Sequence, residues 1–237
     1  NILSTSALYM IFVKKNDIKL SFKINWPAFF RNNFADFTLW NHLSGAITFK
    51  MYRIDTFILS LFVSIEAIAS YTVALTLSNY FFVIPQMGEK VLKIGYSNLA
   101  KDSPEEKRFF FWGTLSLNIL SLLQLIFFIL FGKEMIAFLF PKVDIPLVYE
   151  ISALIIIGVT LLNFVRPVSA ILTIRNNLKK LFLFCYLPAG IFSLLVYFYL
   201  GYRYGTLRAV ATGNIISYGA FAVLIALQKA GKRKTDV

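Results

Sequence analysis

This chain is poor in acids, histidine and cysteine. Its 237 residues hold 12 Asp and Glu against 24 Lys and Arg, with a single His and a single Cys. A lone Cys185 excludes an internal disulfide, and its place inside an apolar run marks it as a small, inert core residue. His42 stands apart from any Cys or His at metal-ligand spacing and reads as a packing residue rather than a proton carrier. No Gly-rich phosphate loop and no Ser/His/Asp set is present, so the sequence points to no enzyme and to no metal or other cofactor. Charge itself is scarce, at 15% of residues against 58% hydrophobic, and the mean hydropathy of +0.69 lies above that of a soluble domain. There is no initiator Met, no signal peptide and no soluble domain in the sequence, which reads as the C-terminal part of a longer protein.

What fills the space is a series of apolar runs. Phe109–Phe131, Ile151–Val165, Leu181–Gly201 and Ala209–Leu227 are uncharged or nearly so, and 36–63 and 71–91 carry a few polar residues. At ~1.5 Å per helical residue, about 20 apolar residues cross a hydrocarbon core of ~30 Å. The expected fold is all-α and polytopic, with six complete spans in residues 36–228. Residues 1–13 read as the end of a preceding helix, 14–35 as a basic linker, and 229–237 as a basic tail. Within the linker, Ser21–Phe34 suits a short interfacial helix, with Asn25 as N-cap, Pro27 in its first turn, and Trp26, Phe29, Phe30 and Phe34 as anchors. Pro104, Glu105 and Glu106 suit a helix start, while Pro85, Pro167 and Pro188 fall inside spans and should kink them.

The formal net charge of +12 would suit nucleic acid in a soluble protein. Here the cations flank lipid spans, so membrane lipids are the expected contact and nucleic acid is not. Seventeen of the 24 Lys and Arg fall in alternate gaps, at 14–31, 90–108, 175–180 and 229–234. The three intervening gaps hold four. That alternation puts the first gap and the C-terminus in the cytoplasm.

Lys50, Arg53 and Arg166 remain, all inside spans. Each costs roughly 2.5–3.5 kcal/mol at a helix centre, about 8–10 kcal/mol together, so they should face the bundle or a wet cavity. Asn41, Gly45, Thr48, Tyr52 and Asp55 recur at helical spacing and form one small, polar stripe, opposite Leu39, Leu43, Phe57 and Leu61. Arg53 and Asp55 are two apart and do not pair on a regular helix. With Asp55 read as the one acid deep in the spans, the cation excess asks for an anionic companion. It would come from acids elsewhere in the protein or from an anionic substrate.

At these residues a resemblance appears. Tyr52-Arg53-Ile54-Asp55-Thr56-Phe57-Ile58-Leu59, followed by Ile68-Ala69-Ser70-Tyr71-Thr72-Val73-Ala74, resembles the seventh helix and following turn of bacterial O-antigen flippases. These belong to the polysaccharide-exporter branch of the multidrug/oligosaccharidyl-lipid/polysaccharide superfamily. Phe131–Phe140 resembles the family's segment between helices nine and ten. Ala170-Ile171-Leu172 with Asn176, Asn177 and Lys179 is similar to the cytoplasmic end of helix ten, and Tyr204-Gly205 leading to Ala211-Thr212 to the start of helix twelve. Pro141 and Arg208 depart from the family's usual glycines.

The resemblance implies the C-terminal lobe of a twelve-helix, two-lobe transporter in the bacterial cytoplasmic (inner) membrane. Its substrate would be an undecaprenyl-diphosphate-linked oligosaccharide, with a polysaccharide polymerase and a chain-length regulator as neighbours in the pathway. Arg53, Lys50, Arg166, Tyr52 and Asn41 would bind that substrate, and Asp55 would couple an ion. Three other readings remain open: a cation-coupled multidrug antiporter of the same superfamily, a membrane-embedded polymerase or glycosyltransferase, and a structural membrane subunit. An antiporter favours acidic cavity residues, and an enzyme needs a larger outward loop than about 132–148.

Overall fold

A computed structural model describes residues 34–51, 53–175 and 178–232. The expected stub, the interfacial helix with Asn25 and Pro27, Tyr52, Asn176, Asn177 and the last five residues of the tail lie outside the described residues. So do the side chains of residues 34–37, 49, 50 and 230–232, although their backbone is helical.

The described residues form helices throughout. They are α1 (Phe34–Met51), α2 (Ile54–Leu59), α3 (Ile65–Asn98), α4 (Pro104–Leu139), α5 (Ile145–Arg175), α6 (Leu178–Tyr204) and α7 (Leu207–Lys232). Five of them, α3 to α7, are long and apolar enough to cross a membrane. The stretch 36–63, expected to be a sixth span, is not one continuous helix. The chain leaves helical geometry at Arg53 (φ −129°, ψ −11°), dividing that stretch into α1 and α2. The polar residues Asn41, His42, Ser44 and Thr48 also thin the apolar content of α1.

The long helices run past their apolar runs because their ends are capped. Ser64 begins α3 by accepting a hydrogen bond from the Ala67 N–H at 3.4 Å. Ser103 begins α4 by accepting from the Glu106 N–H at 3.1 Å, where Pro104, Glu105 and Glu106 predict a start. Glu106 in turn accepts from the Asp102 N–H at 2.7 Å and from Arg175 Nε at 2.8 Å. Arg175 Nη2 donates to the carbonyls of Tyr96 and Leu99. One guanidinium thus ties the end of α5 to the end of α3 and the start of α4.

α5 is the centre of the bundle and packs against α7, α3 and α4, while α6 packs against α7. Ile151, Ile155, Ile156, Val159 and Leu162 of α5 are buried within the main core. Gly158 lets α5 and α7 meet backbone to backbone: a Cβ there would stand 3.0 Å from the carbonyl carbon and oxygen of Asn214. A smaller core of Leu92, Tyr96, Leu117 and Ala170 sits beside the Arg175 tie. By contrast α4 presents Phe111, Trp112, Leu123, Ile126 and Leu130 outward, as a lipid-facing helix does.

The helices run through Pro85 and Pro167 without interruption. Ahead of Pro188, α6 widens into a π turn over Phe182–Tyr186, and the Leu187 N–H bonds the Phe182 carbonyl. Widening the helix just before a residue with no N–H to donate is one way to absorb the proline. Cys185 lies in this turn, fully buried, with its thiol 3.6 Å from the Leu224 carbonyl. At Gly205 (φ 55°) the chain closes α6 with a bond to the Gly201 carbonyl at 2.9 Å before α7 begins. All of these contacts lie within the compact unit that starts at Trp40.

Candidate functional site

A cavity of about 630 Å³ opens between α1, α3, α5, α6 and α7. α1 contributes Asn41, His42, Ser44, Gly45 and Thr48, and Arg53 reaches it from the break between α1 and α2. α3 supplies Gln86, Glu89, Lys90 and Lys93; α5 supplies Arg166, Ser169 and Thr173; Tyr186 and Phe221 come from α6 and α7. The Ser169 and Tyr186 hydroxyls lie 3.2 Å apart on its wall.

Its charge is one-sided. Among the described lining residues, Arg53, Lys90, Lys93 and Arg166 face one carboxylate, Glu89. Arg166 is only 6% exposed. Its Nη1 donates to Glu89 Oε2 at 2.5 Å, its Nε donates to Asn163 Oδ1 at 2.7 Å, and its guanidinium carbon lies 4.2 Å from the centre of the Phe82 ring. Its Nη2 is buried with no hydrogen-bond partner among the described residues. Glu89 also meets Lys93 at 2.8 Å, one helical turn away. Arg53 is exposed and forms no ion pair among the described residues.

The helix break, the π turn and two of the prolines gather here. Arg53 sits at the α1–α2 break, Gln86 follows Pro85, Arg166 precedes Pro167, and Tyr186 ends the π turn. Broken or distorted helices are tolerated in a membrane where they line a polar cavity.

The predicted site residues divide. Asn41, Arg53 and Arg166 meet at the cavity, together with Gly45 and Thr48 of the polar stripe. Tyr52 and the Lys50 side chain fall outside the described residues. Asp55 goes elsewhere: it is fully buried, and its Oδ2 accepts from the Tyr71 hydroxyl at 2.6 Å. Its Oδ1 accepts from the Thr56 N–H at 2.6 Å. Asn214 Nδ2 donates to the Tyr71 oxygen at 3.2 Å, and the Tyr197 hydroxyl lies 3.0 Å from Asn214 Oδ1. The stripe assumes one continuous helix from 41 to 55. The break at Arg53 resets the helical phase, so α2 turns Asp55 into the bundle and leaves Phe57 and Leu61 outside. His42, expected to be packed, is exposed on the cavity wall.

Glu89 supplies what the sequence reading left open: Arg166 has an acid partner 77 residues away. Sequence reading takes the end of the 71–91 run as the end of the span, yet α3 continues to Asn98. The signal was present in Glu89 and Lys93 at i,i+4 spacing, just beyond Pro85. Among the described residues, no three His, Cys, Asp or Glu side chains converge as a metal site would need.

No known protein family, curated protein or solved structure matches the chain. What the cavity can do is therefore decided by its own side chains. Two arginines and two lysines against one carboxylate suit an oxyanion with several charges, and hydroxyl and amide groups beside them suit a polar, hydrogen-bonding ligand.

Proposed function

We propose that the chain is a transporter lobe that moves undecaprenyl-diphosphate-linked oligosaccharide from the inner to the outer leaflet of the bacterial cytoplasmic membrane by alternating access. On this reading α1 and α2 together make a sixth, broken span. The six-span bundle pairs with a second lobe, and the cavity faces that lobe. The cation excess at the cavity carries the proposal. A diphosphate supplies the charge that Arg53, Lys90, Lys93 and Arg166 leave uncompensated beside Glu89. The resemblance of Tyr52–Leu59 to the flippases points the same way. A cation-coupled antiporter is the weaker alternative, because the cavity's one described carboxylate is already held by Arg166 and Lys93.

The deciding experiment is Arg53→Ala in the full-length protein. Surface polymer should be lost while protein level stays near normal, and lipid-linked repeat units should accumulate on the cytoplasmic face. Arg53→Lys should restore export in part, since an ammonium keeps the charge without the bidentate fork. Normal export by Arg53→Ala would remove the residue from the substrate site.

A further inference from the structure

Arg166 is engaged on two of its three nitrogens. Nη1 holds Glu89, Nε holds Asn163, and Nη2 is buried without a partner. A guanidinium grips an oxyanion bidentately along one of two edges, Nη1 with Nη2 or Nε with Nη2. Both edges use the vacant Nη2, and each also needs a nitrogen that is already taken. An anion can therefore take Arg166 in a fork only if Glu89 or Asn163 lets go.

The two are not equally free to leave. Asn163 is 1% exposed, three residues before Arg166 on the same helix, and its amide oxygen would be stranded in the core. Glu89 lies on the cavity wall and keeps its second partner, Lys93, at 2.8 Å. It can release Arg166 and stay paired. The bond that breaks also joins α3 to α5 beside Pro85 and Pro167, where each helix lacks one backbone hydrogen bond.

We infer that Glu89 is a resident anion that occupies Arg166 while the cavity is empty and is displaced by the phosphate oxygens of the ligand. Displacement passes Glu89 to Lys93 and unties α3 from α5, so ligand arrival loosens the bundle at the two prolines. This rests on the anion-binding reading of the cavity and adds its regulation: Glu89 lowers apparent affinity by competing for Arg166, and it couples binding to helix movement.

The test is a double-mutant cycle on the purified full-length protein, with inorganic pyrophosphate as the probe and binding read by titration calorimetry at low salt. If Glu89 holds Arg166 nine-tenths of the time, Glu89→Gln should tighten binding about tenfold. That gain should all but vanish in an Arg166→Gln background. A gain that persists there would mean that Glu89 merely repels the anion through space, which overturns displacement. Farnesyl diphosphate is the second probe. A lipid-borne ligand binds tighter than free pyrophosphate, a free-phosphate site binds both alike, and the Glu89 ratio decides the inference in either arm.

Where Glu89→Gln does not yield monodisperse protein, Glu89→Asp shortens the reach to Arg166 and should tighten binding in the same direction. An unchanged affinity overturns the inference. If the wild-type protein binds pyrophosphate, Arg53→Ala weakens it and Glu89→Gln binds no tighter, displacement fails while the cavity reading stands. If pyrophosphate binds to none of them, the cavity reading fails, and displacement with it.

Discussion

Tyr71 donates its hydroxyl hydrogen to Asp55 at 2.6 Å, joining two fully buried residues sixteen apart in sequence. Asn214 and Tyr197 extend the bond into a chain that crosses from α2 through α3 and α7 to α6. A buried polar network of this kind stabilises only when its members are satisfied together.

Removing the Tyr71 hydroxyl should therefore be costly for the fold. Tyr71→Phe leaves Asp55 Oδ2 and Asn214 Nδ2 without the partner they share and should destabilise by about 1–2 kcal/mol. Asn214→Leu in the same background should destabilise further, because it also takes from the buried Tyr197 hydroxyl the Oδ1 acceptor it holds at 3.0 Å. Thermal unfolding of the detergent-solubilised protein measures both. An unchanged midpoint for Tyr71→Phe would mean that the network contributes nothing to stability.

The contact between α5 and α7 makes a second prediction, with its own control. Gly158→Ala puts a methyl 3.0 Å from the Asn214 backbone, and backbone cannot swing away as a side chain can. It should cost about 1–3 kcal/mol by overpacking. Gly45 lines the cavity with nothing within 4 Å of its would-be Cβ, so Gly45→Ala should be neutral or stabilise by up to about 1 kcal/mol. Equal effects of the two on the unfolding midpoint would refute the close crossing.

Orientation is open to direct labelling. The alternation of cations predicts that Lys101 and Lys179 face the cytoplasm and that Ser64 and Tyr202 face out. In a Cys185→Ser background, single cysteines at 64 and 202 should react with an impermeant maleimide on intact spheroplasts. Those at 101 and 179 should react only after lysis. Labelling of position 179 from outside would invert the topology.

Apolar run length, cation spacing and the start signal at Pro104, Glu105 and Glu106 are local properties, and they were enough to place the five long helices. Each run and its flanking Ser or Gly acts within a few residues, as at Ser103 with Pro104 and at Gly205. Arg53, Arg166 and Asn41 were also legible, because a cation or amide inside an apolar run must find polar company wherever the helices come to rest. Who provides that company is not a local property. Glu89 reaches Arg166 across 77 residues and Asn214 reaches Tyr71 across 143, and no periodicity links them. Helical phase is legible only while the helix continues. From 41 to 48 it placed the stripe on the cavity, but the break at Arg53 turned Asp55 into the core. Local patterning determined which residues had to be buried or partnered; packing α3 and α7 against α5 decided with whom, since only tertiary contact makes distant side chains neighbours.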